Sequence, residues 1–147
     1  MEIAILGLGC FWGPEIKFSK LDGVIKTEVG YCGGNSSKTT YKEVCTGTTN
    51  HAEVVKLDFD PKIITYEKIL KFFFEIHDPT TLNSQGPDFG TQYRSEIFYL
   101  NNQQKEAAEK VIKEENIKFS GKIVTKTSLV KNYCPAEEYH QKYLEKR

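Results

Sequence analysis

The residue whose type and setting best support chemistry is Cys10, in Gly9-Cys10-Phe11-Trp12-Gly13. It follows the apolar run Ile3-Ala4-Ile5-Leu6 and precedes Pro14-Glu15-Ile16-Lys17-Phe18, the pattern of a strand, a tight glycine turn and a helix start. The thiolate, not the thiol, is the nucleophile, and a helix N-terminus favours negative charge, so this position is expected to favour the thiolate. The flanking glycines let the backbone turn sharply and expose the sulfur. A free cysteine is otherwise a small buried hydrophobe. Two large aromatics directly after it, where a plain turn carries small polar residues, set this one apart. The glycines of Gly7-Leu8-Gly9 and Gly13 do not have dinucleotide-binding spacing, and Phe11 and Trp12 would block a pyrophosphate.

A reactive sulfur needs partners. Glu53 opens the apolar segment Ala52-Glu53-Val54-Val55. A glutamate at a strand end is ordinarily solvated, but one buried beside Cys10 would hold its proton at neutral pH and could donate it to a substrate oxygen. Tyr41 and Tyr93 stand in two loop regions, most simply as aromatics with locally satisfied hydroxyls. Asp88, in Gly86-Pro87-Asp88-Phe89-Gly90-Thr91-Gln92-Tyr93-Arg94-Ser95, serves equally as a loop-shaping residue. Their loop positions make function plausible for all three. Two other chemistries compete. A Cys–His peptidase or acyl-transfer site would need His51, His77 or His140 beside Cys10, and none has local support. A non-catalytic peptide-binding module could use Phe11, Trp12 and the tyrosines as an aromatic cup, but leaves the placement of Cys10 unexplained.

The elements that must position these groups follow from the patterning. The chain has 147 residues, enough for one domain with a core. It is 39% hydrophobic and 27% charged, with twenty acids balancing twenty bases. That balance argues against a general nucleic-acid binder, and no apolar run is long enough to span a bilayer. The short apolar run after Met1-Glu2 lacks the basic flank and length of a signal segment. The chain therefore reads as a cytoplasmic, unprocessed monomer. Its four cysteines, Cys10, Cys32, Cys45 and Cys134, are expected to be reduced and carry no metal-site spacing.

Strands are expected over 2–8, 24–31, 52–59, 94–100 and 123–129. Helices are expected over 14–21, over 66–76 behind a Thr65 cap, and over 103–115, with helical content in the tail at 135–146. Two long loops run over 32–40 and 80–90, and 41–46 is a short ordered segment. The order β-α-β-β-α-β-α-β predicts an α+β two-layer sandwich with a ferredoxin-like, split βαβ core and long active-site loops.

Several motifs together are similar to the A-type peptide methionine sulfoxide reductases. These are Gly9-Cys10-Phe11-Trp12-Gly13, Gly30-Tyr31-x-Gly33-Gly34, Thr40-Tyr41-x-Glu43-Val44-Cys45-x-Gly47, His51-Ala52-Glu53-Val54, His77-Asp78-Pro79, Gly90-Thr91-Gln92-Tyr93-Arg94-Ser95 and Pro135-Ala136-Glu137-x-Tyr139-His140-Gln141. They run in order across nearly the whole chain. The resemblance implies reduction of the S epimer of methionine sulfoxide, free or in a peptide. It implies Cys10 as nucleophile, passing through a sulfenic acid, and Phe11 and Trp12 as the cup for the substrate S-methyl group. It further implies Glu53, Tyr41 and Tyr93 around the sulfoxide oxygen, with Glu53 supplying the proton, and Asp88 holding substrate directly or through water. No metal or organic cofactor is implied. Many relatives carry recycling cysteines in a glycine-rich C-terminal tail, which this sequence lacks. Cys32, Cys45 and Cys134 are then the candidate resolving thiols, and an external thiol (thioredoxin, glutaredoxin or a small thiol such as dithiothreitol) is the expected reductant. Some relatives place selenocysteine at the position of Cys10.

Overall fold

Alternation along the first strand sets the two faces of the sheet. In β1 (Glu2–Leu8), Ala4, Leu6 and Leu8 enter the larger core while Ile5 enters a smaller one on the opposite face. This is the period-two pattern of a strand covered on both sides. The computed structural model describes residues 1–146. After β1 come α1 (Trp12–Ser19), β2 (Val24–Cys32), the short α2 (Tyr41–Cys45), β3 (Ala52–Phe59) and α3 (Tyr66–Glu75). A two-residue hairpin, β4 (Ser84–Gln85) and β5 (Asp88–Phe89), leads into β6 (Ser95–Tyr99), α4 (Asn102–Lys118), β7 (Lys126–Leu129) and β8 (Cys134–Pro135).

The main sheet has the order β7-β6-β1-β3-β2-β8. Its inner four strands, β6-β1-β3-β2, pair antiparallel throughout, so β1 and β2 run parallel with β3 inserted between them. That is the split βαβ arrangement, with the helical residues Phe18, Ile69, Leu70, Phe73, Ala108 and Val111 packed into the core of one face. β7 extends the sheet parallel to β6 through the α4 crossover, and β8 extends the other edge by pairing with β2.

Local chemistry explains most boundaries. Thr65 Oγ1 accepts the Lys68 N–H to cap α3, as its sequence position predicts. α1 begins at Trp12, two residues ahead of the expected start, with Pro14 inside the first turn where its missing N–H costs nothing. α4 runs past residue 115 because its stop signal lies later, at Ser120 and Gly121 with φ of +55° and +75°. β7 is shorter than the expected 123–129 strand because its lead-in is tied elsewhere: the Val124 N–H bonds the Pro79 carbonyl at 2.8 Å and the Thr125 hydroxyl bonds that of Ser95 at 2.7 Å.

The tail departs most from expectation. It forms no α-helix, only a 3₁₀ turn at Glu138–His140. Several of its polar side chains bond the rest of the fold. Gln141 Oε1 accepts the Val29 N–H while its Nε2 donates to the carbonyls of Val29 and Ala136, each at 2.9 Å. The amide thus acts as a strand partner for the edge of β2. The following Lys142 takes φ +51°, which breaks any helix, and its N–H bonds the buried Glu15 carboxylate at 2.7 Å.

Candidate active site

The end of β1 delivers Cys10. Gly9, at φ +100°, turns the chain there, and a Cβ on it would lie 2.9 Å from the Gln85 side chain. The β4–β5 hairpin therefore packs directly on this turn. Phe11 sits at the cap position of α1 with its ring buried, and Cys10 is half-buried just before it. Glu53 approaches from the neighbouring strand. It stands opposite Tyr31 in the β2–β3 register and has the parity of Val55 and Leu57, which puts it on the helix-covered face. Its side chain is buried, Oε1 accepts the Phe11 N–H at 3.3 Å, and Oε2 has no hydrogen-bond partner.

That burial has two opposite consequences. It pushes the Glu53 carboxyl up to about 8, against the pull of the Phe11 N–H and with a smaller contribution from the Asp88 charge. Burial thus favours the neutral form of this carboxyl. It also pushes the Cys10 thiol up to about 11. The Trp12 N–H at the helix start does favour the thiolate, but burial outweighs it and the Glu53 and Asp88 charges oppose it. The expectation that the helix terminus alone favours a thiolate at Cys10 is thus corrected: the direction of its effect is right and its size is insufficient.

Tyr41 opens α2, whose Thr40 cap accepts the Glu43 N–H at 3.3 Å. Tyr93 lies in a 3₁₀ turn at the end of the second loop. The two hydroxyls interact with each other, and both tyrosines are shifted upward, first by burial and then by neighbours that include Glu53. Asp88, on β5, acts on Cys10, Glu53 and Tyr93 alike. Cys10, Glu53, Tyr41, Tyr93 and Asp88 thus form one electrostatically connected group. Phe11 packs against Tyr31 from below, at 5.8 Å between ring centroids.

Trp12 forms a wall, held by residues of the tail. Its indole N–H donates to His140 Nδ1 at 3.0 Å, and its ring stacks on Tyr143 at 3.8 Å. His140 is buried and also packs on Phe11 and Tyr41, with centroids at 5.2 and 4.6 Å. Because Nδ1 accepts, the ring proton is on Nε2, and burial lowers the pKa to keep the ring neutral. Glu137 takes the Tyr31 hydroxyl at 2.7 Å and the Tyr41 N–H at 2.9 Å, fixing α2 against the sheet. Arg94 donates to Glu96 at 2.6 Å and to the carbonyls of Thr91 and Asn50, tying the Tyr93 turn to the start of β3. The signal for these residues was available only as motif, since a charged tail looks solvated until its partners are known.

The other histidines are occupied too. His51 is buried against Gly34 and bonds the Ser36 carbonyl at 2.9 Å. His77 bonds the Phe73 carbonyl and the Ser95 hydroxyl, and burial lowers its pKa to about 4. None of the three histidines is among the groups acting on the Cys10 sulfur, which are Trp12, Glu53 and Asp88.

Comparison with known proteins gives the family. Residues 2–147 match the family model described as peptide methionine sulfoxide reductase. The chain belongs to that family. It is 84% identical, over the full length of both chains, to the peptide methionine sulfoxide reductase MsrA of Pelagibacter ubique (strain HTCC1062). Its fold matches the crystal structure of reduced Mxr1 from Saccharomyces cerevisiae with a TM-score of 0.95 at 44% identity, covering 99% of this chain and 85% of that one. A crystal structure of Mxr1 in complex with Trx2 matches with a TM-score of 0.70 at 28% identity, covering 97% and 84%. The chain is an oxidoreductase of this family.

Within the family site, the three remaining cysteines separate by geometry. Cys32 stands opposite Ala52 in the register, enters the smaller core with Ile5, Val54 and Phe98, and is fully buried. It lies on the opposite face of the sheet from Glu53. Cys134 pairs with Tyr31 on β8 and its thiol faces the Thr39 and Pro135 carbonyls. Cys45 is exposed at the end of α2 and interacts with both Tyr41 and Tyr93. Of the three, it borders the site most directly.

Proposed function

We propose that this reductase returns the S epimer of methionine sulfoxide, free or in oxidised proteins, to methionine in the cytoplasm, with Cys10 as nucleophile and Glu53 as proton donor. The observation that supports this most is Glu53: a buried carboxyl with one oxygen tied to the Phe11 N–H, the other unpartnered, and a pKa of about 8. A sulfoxide sulfur is electrophilic only when its oxygen is polarised, and that oxygen leaves only when protonated. Glu53, Tyr41 and Tyr93 converge to do both, Phe11 and Trp12 supply apolar surface for the S-methyl group, and Asp88 holds the substrate from the hairpin side.

The step balances within the site. The Cys10 sulfur attacks the sulfoxide sulfur to form an S–S bond and the protonated oxygen leaves; that oxygen, as hydroxide or water, then bonds the Cys10 sulfur and the S–S bond breaks. The substrate sulfur gains two electrons and leaves as methionine, and Cys10 loses two and becomes a sulfenic acid. The thiol proton reaches the departing oxygen by way of Glu53. A reductant thiol then condenses with the sulfenic acid, releasing water and forming a mixed disulfide, and a second thiol restores Cys10. The Mxr1–Trx2 complex in the same family supports a thioredoxin in that role, and a glutaredoxin or small thiol does the same chemistry.

Thiol counting after one equivalent of sulfoxide, without reductant, tests the scheme. We expect one methionine from the S epimer, none from the R epimer, and one thiol lost with a trappable sulfenic acid. Two thiols lost would mean an internal disulfide, and methionine from the R epimer alone would overturn the assignment.

A further inference from the structure

The β4–β5 hairpin carries Asp88 to the site, yet none of residues 84–89 is buried. Two-residue strands are marginal on their own, so ties to the rest of the fold must set where this hairpin sits. Gln85 supplies them. Its Oε1 accepts the Asp78 N–H at 2.8 Å and its Nε2 donates to the Asp78 carbonyl at 2.8 Å. One amide thus holds both backbone groups of a residue earlier in the chain. That residue is itself anchored, because the adjoining His77 bonds the Phe73 carbonyl of α3 and, at 2.8 Å, the Ser95 hydroxyl of β6.

The same side chain reaches the nucleophile's turn. A Cβ on Gly9 would lie 2.9 Å from both Cβ and Cγ of Gln85, so the stem of Gln85 rests on the residue before Cys10. In the β4–β5 register Gln85 stands opposite Asp88, and directly opposed residues of antiparallel strands share a face. The face of the hairpin that meets Gly9 is therefore the face that bears the Asp88 carboxylate. β4 also packs on the 3₁₀ turn of Tyr93. The titratable groups around Asp88 are Cys10 from the β1–α1 turn, Glu53 from β3 and Tyr93. Glu53 is faced in addition by Tyr31 from β2 and Tyr41 from α2.

Resting on the activity proposed above, we infer that Gln85 is a positioning residue of the reaction: its amide clamps the hairpin to Asp78, its stem seats the hairpin on Gly9, and the two together fix the Asp88 carboxylate beside Cys10 and Glu53. Gln85 acts through Asp88 and takes no part in making or breaking bonds.

Gln85→Met tests this, since methionine keeps a stem against Gly9 and removes both hydrogen bonds. It is made alone, beside Asp88→Asn, and in the double variant. Alone it is expected to raise KM for N-acetyl-methionine S-sulfoxide N-methylamide about tenfold, the worth of two hydrogen bonds, with kcat within about threefold. In the Asp88→Asn protein the same change should alter KM by less than about twofold. Alkylation of Cys10 by iodoacetamide against pH, followed on the Cys10 peptide by mass spectrometry, reads the charge without any sulfoxide. The Asp88 charge raises the Cys10 pKa, so displacing it should move the alkylation profile toward lower pH. Gln85→Met and Asp88→Asn should each do so, and the double variant should go no further than Asp88→Asn. Equal effects of Gln85→Met with and without Asp88 would mean that Gln85 serves only the turn, and would overturn the inference. So would an unchanged KM and alkylation profile in Gln85→Met. If the unaltered protein reduced no S-sulfoxide, the proposed activity would fail, while the alkylation series would still decide whether Gln85 sets the place of Asp88.

Discussion

Replacing Glu53 with glutamine separates the proton at the site from the shape of the site. Glutamine keeps an acceptor for the Phe11 N–H and nearly the same volume, but it has no acidic proton to give. General acid catalysis contributes about 10²–10⁴-fold, so single-turnover methionine release is expected to slow by roughly that factor while substrate affinity changes little. The pH dependence is a sharper readout. Burial holds Glu53 near about 8 and Cys10 near about 11. The reactive form, an anionic sulfur beside a neutral carboxyl, carries one proton on the pair, the same number as a thiol beside a carboxylate. Its population rises through about pH 8 as the first proton leaves the pair and falls through about pH 11 as the second leaves. Rapid-mixing measurements of kcat/KM should trace that bell. In Glu53→Gln the limb near 8 should vanish, leaving a single rise toward the ionisation of Cys10. Stability supplies a further check. The folded pKa of Glu53, about 8, lies above the ordinary 4.5. Below about 4.5 both folded and unfolded states hold the proton and nothing is lost. Between those values the unfolded chain ionises first, and stability falls as pH rises by about 1.4 kcal/mol per unit, roughly 3 kcal/mol by pH 7. Denaturant unfolding across this range should show Glu53→Gln gaining on the unaltered protein as pH rises. A variant rate within threefold of the unaltered protein, with the limb near pH 8 still present, would refute Glu53 as the proton donor.

Three further outcomes are expected. Cys10→Ser should release no methionine from S-sulfoxide while its circular dichroism and melting curve stay unchanged; measurable turnover would displace Cys10 as nucleophile. Arg94→Met should strand the buried Glu96 carboxylate, now bonded at 2.6 Å, and cost about 3–5 kcal/mol in urea unfolding, with part recovered in the double variant carrying Glu96→Gln. Cys32→Ala should leave the thiol loss per turnover unchanged while lowering stability, because Cys32 fills the smaller core; a change in thiol loss would restore it as a resolving residue.

The sequence made the sheet legible because each strand carries a period-two pattern bounded by glycine, proline or a cap. β3 runs from Ala52 to Phe59 as expected, and the split βαβ order followed from the succession of elements. Glu53 was legible as a candidate because it opens the apolar segment of β3, and the structure gives it the parity of Val55 and Leu57. Three things could not be read. The tail looked helical and solvated, but Gln141, His140 and Glu137 spend their polar groups on β2, Trp12 and Tyr41, partners more than 90 positions away. The two-residue hairpin is too short for any periodicity, yet it braces Gly9 and carries Asp88. The balance of forces at Cys10 depends on how much of the thiol is covered, which spacing alone does not encode.

That balance shapes the chemistry. A dry pocket is what keeps Glu53 protonated near neutral pH, and dryness raises a thiol as surely as it raises a carboxyl. No single dielectric can favour an anionic sulfur and a neutral acid separately. The two groups therefore work as one titrating pair rather than as two independently tuned residues. Below about pH 8 the pair holds two protons, so one must leave before the one-proton state forms, and within that state the remaining proton is shared between Cys10 and Glu53. The unpartnered Glu53 Oε2 is the carboxyl oxygen free to hold it. The tail adds to the cover beside this pair, laying the buried His140 ring against Phe11, Trp12 and Tyr41.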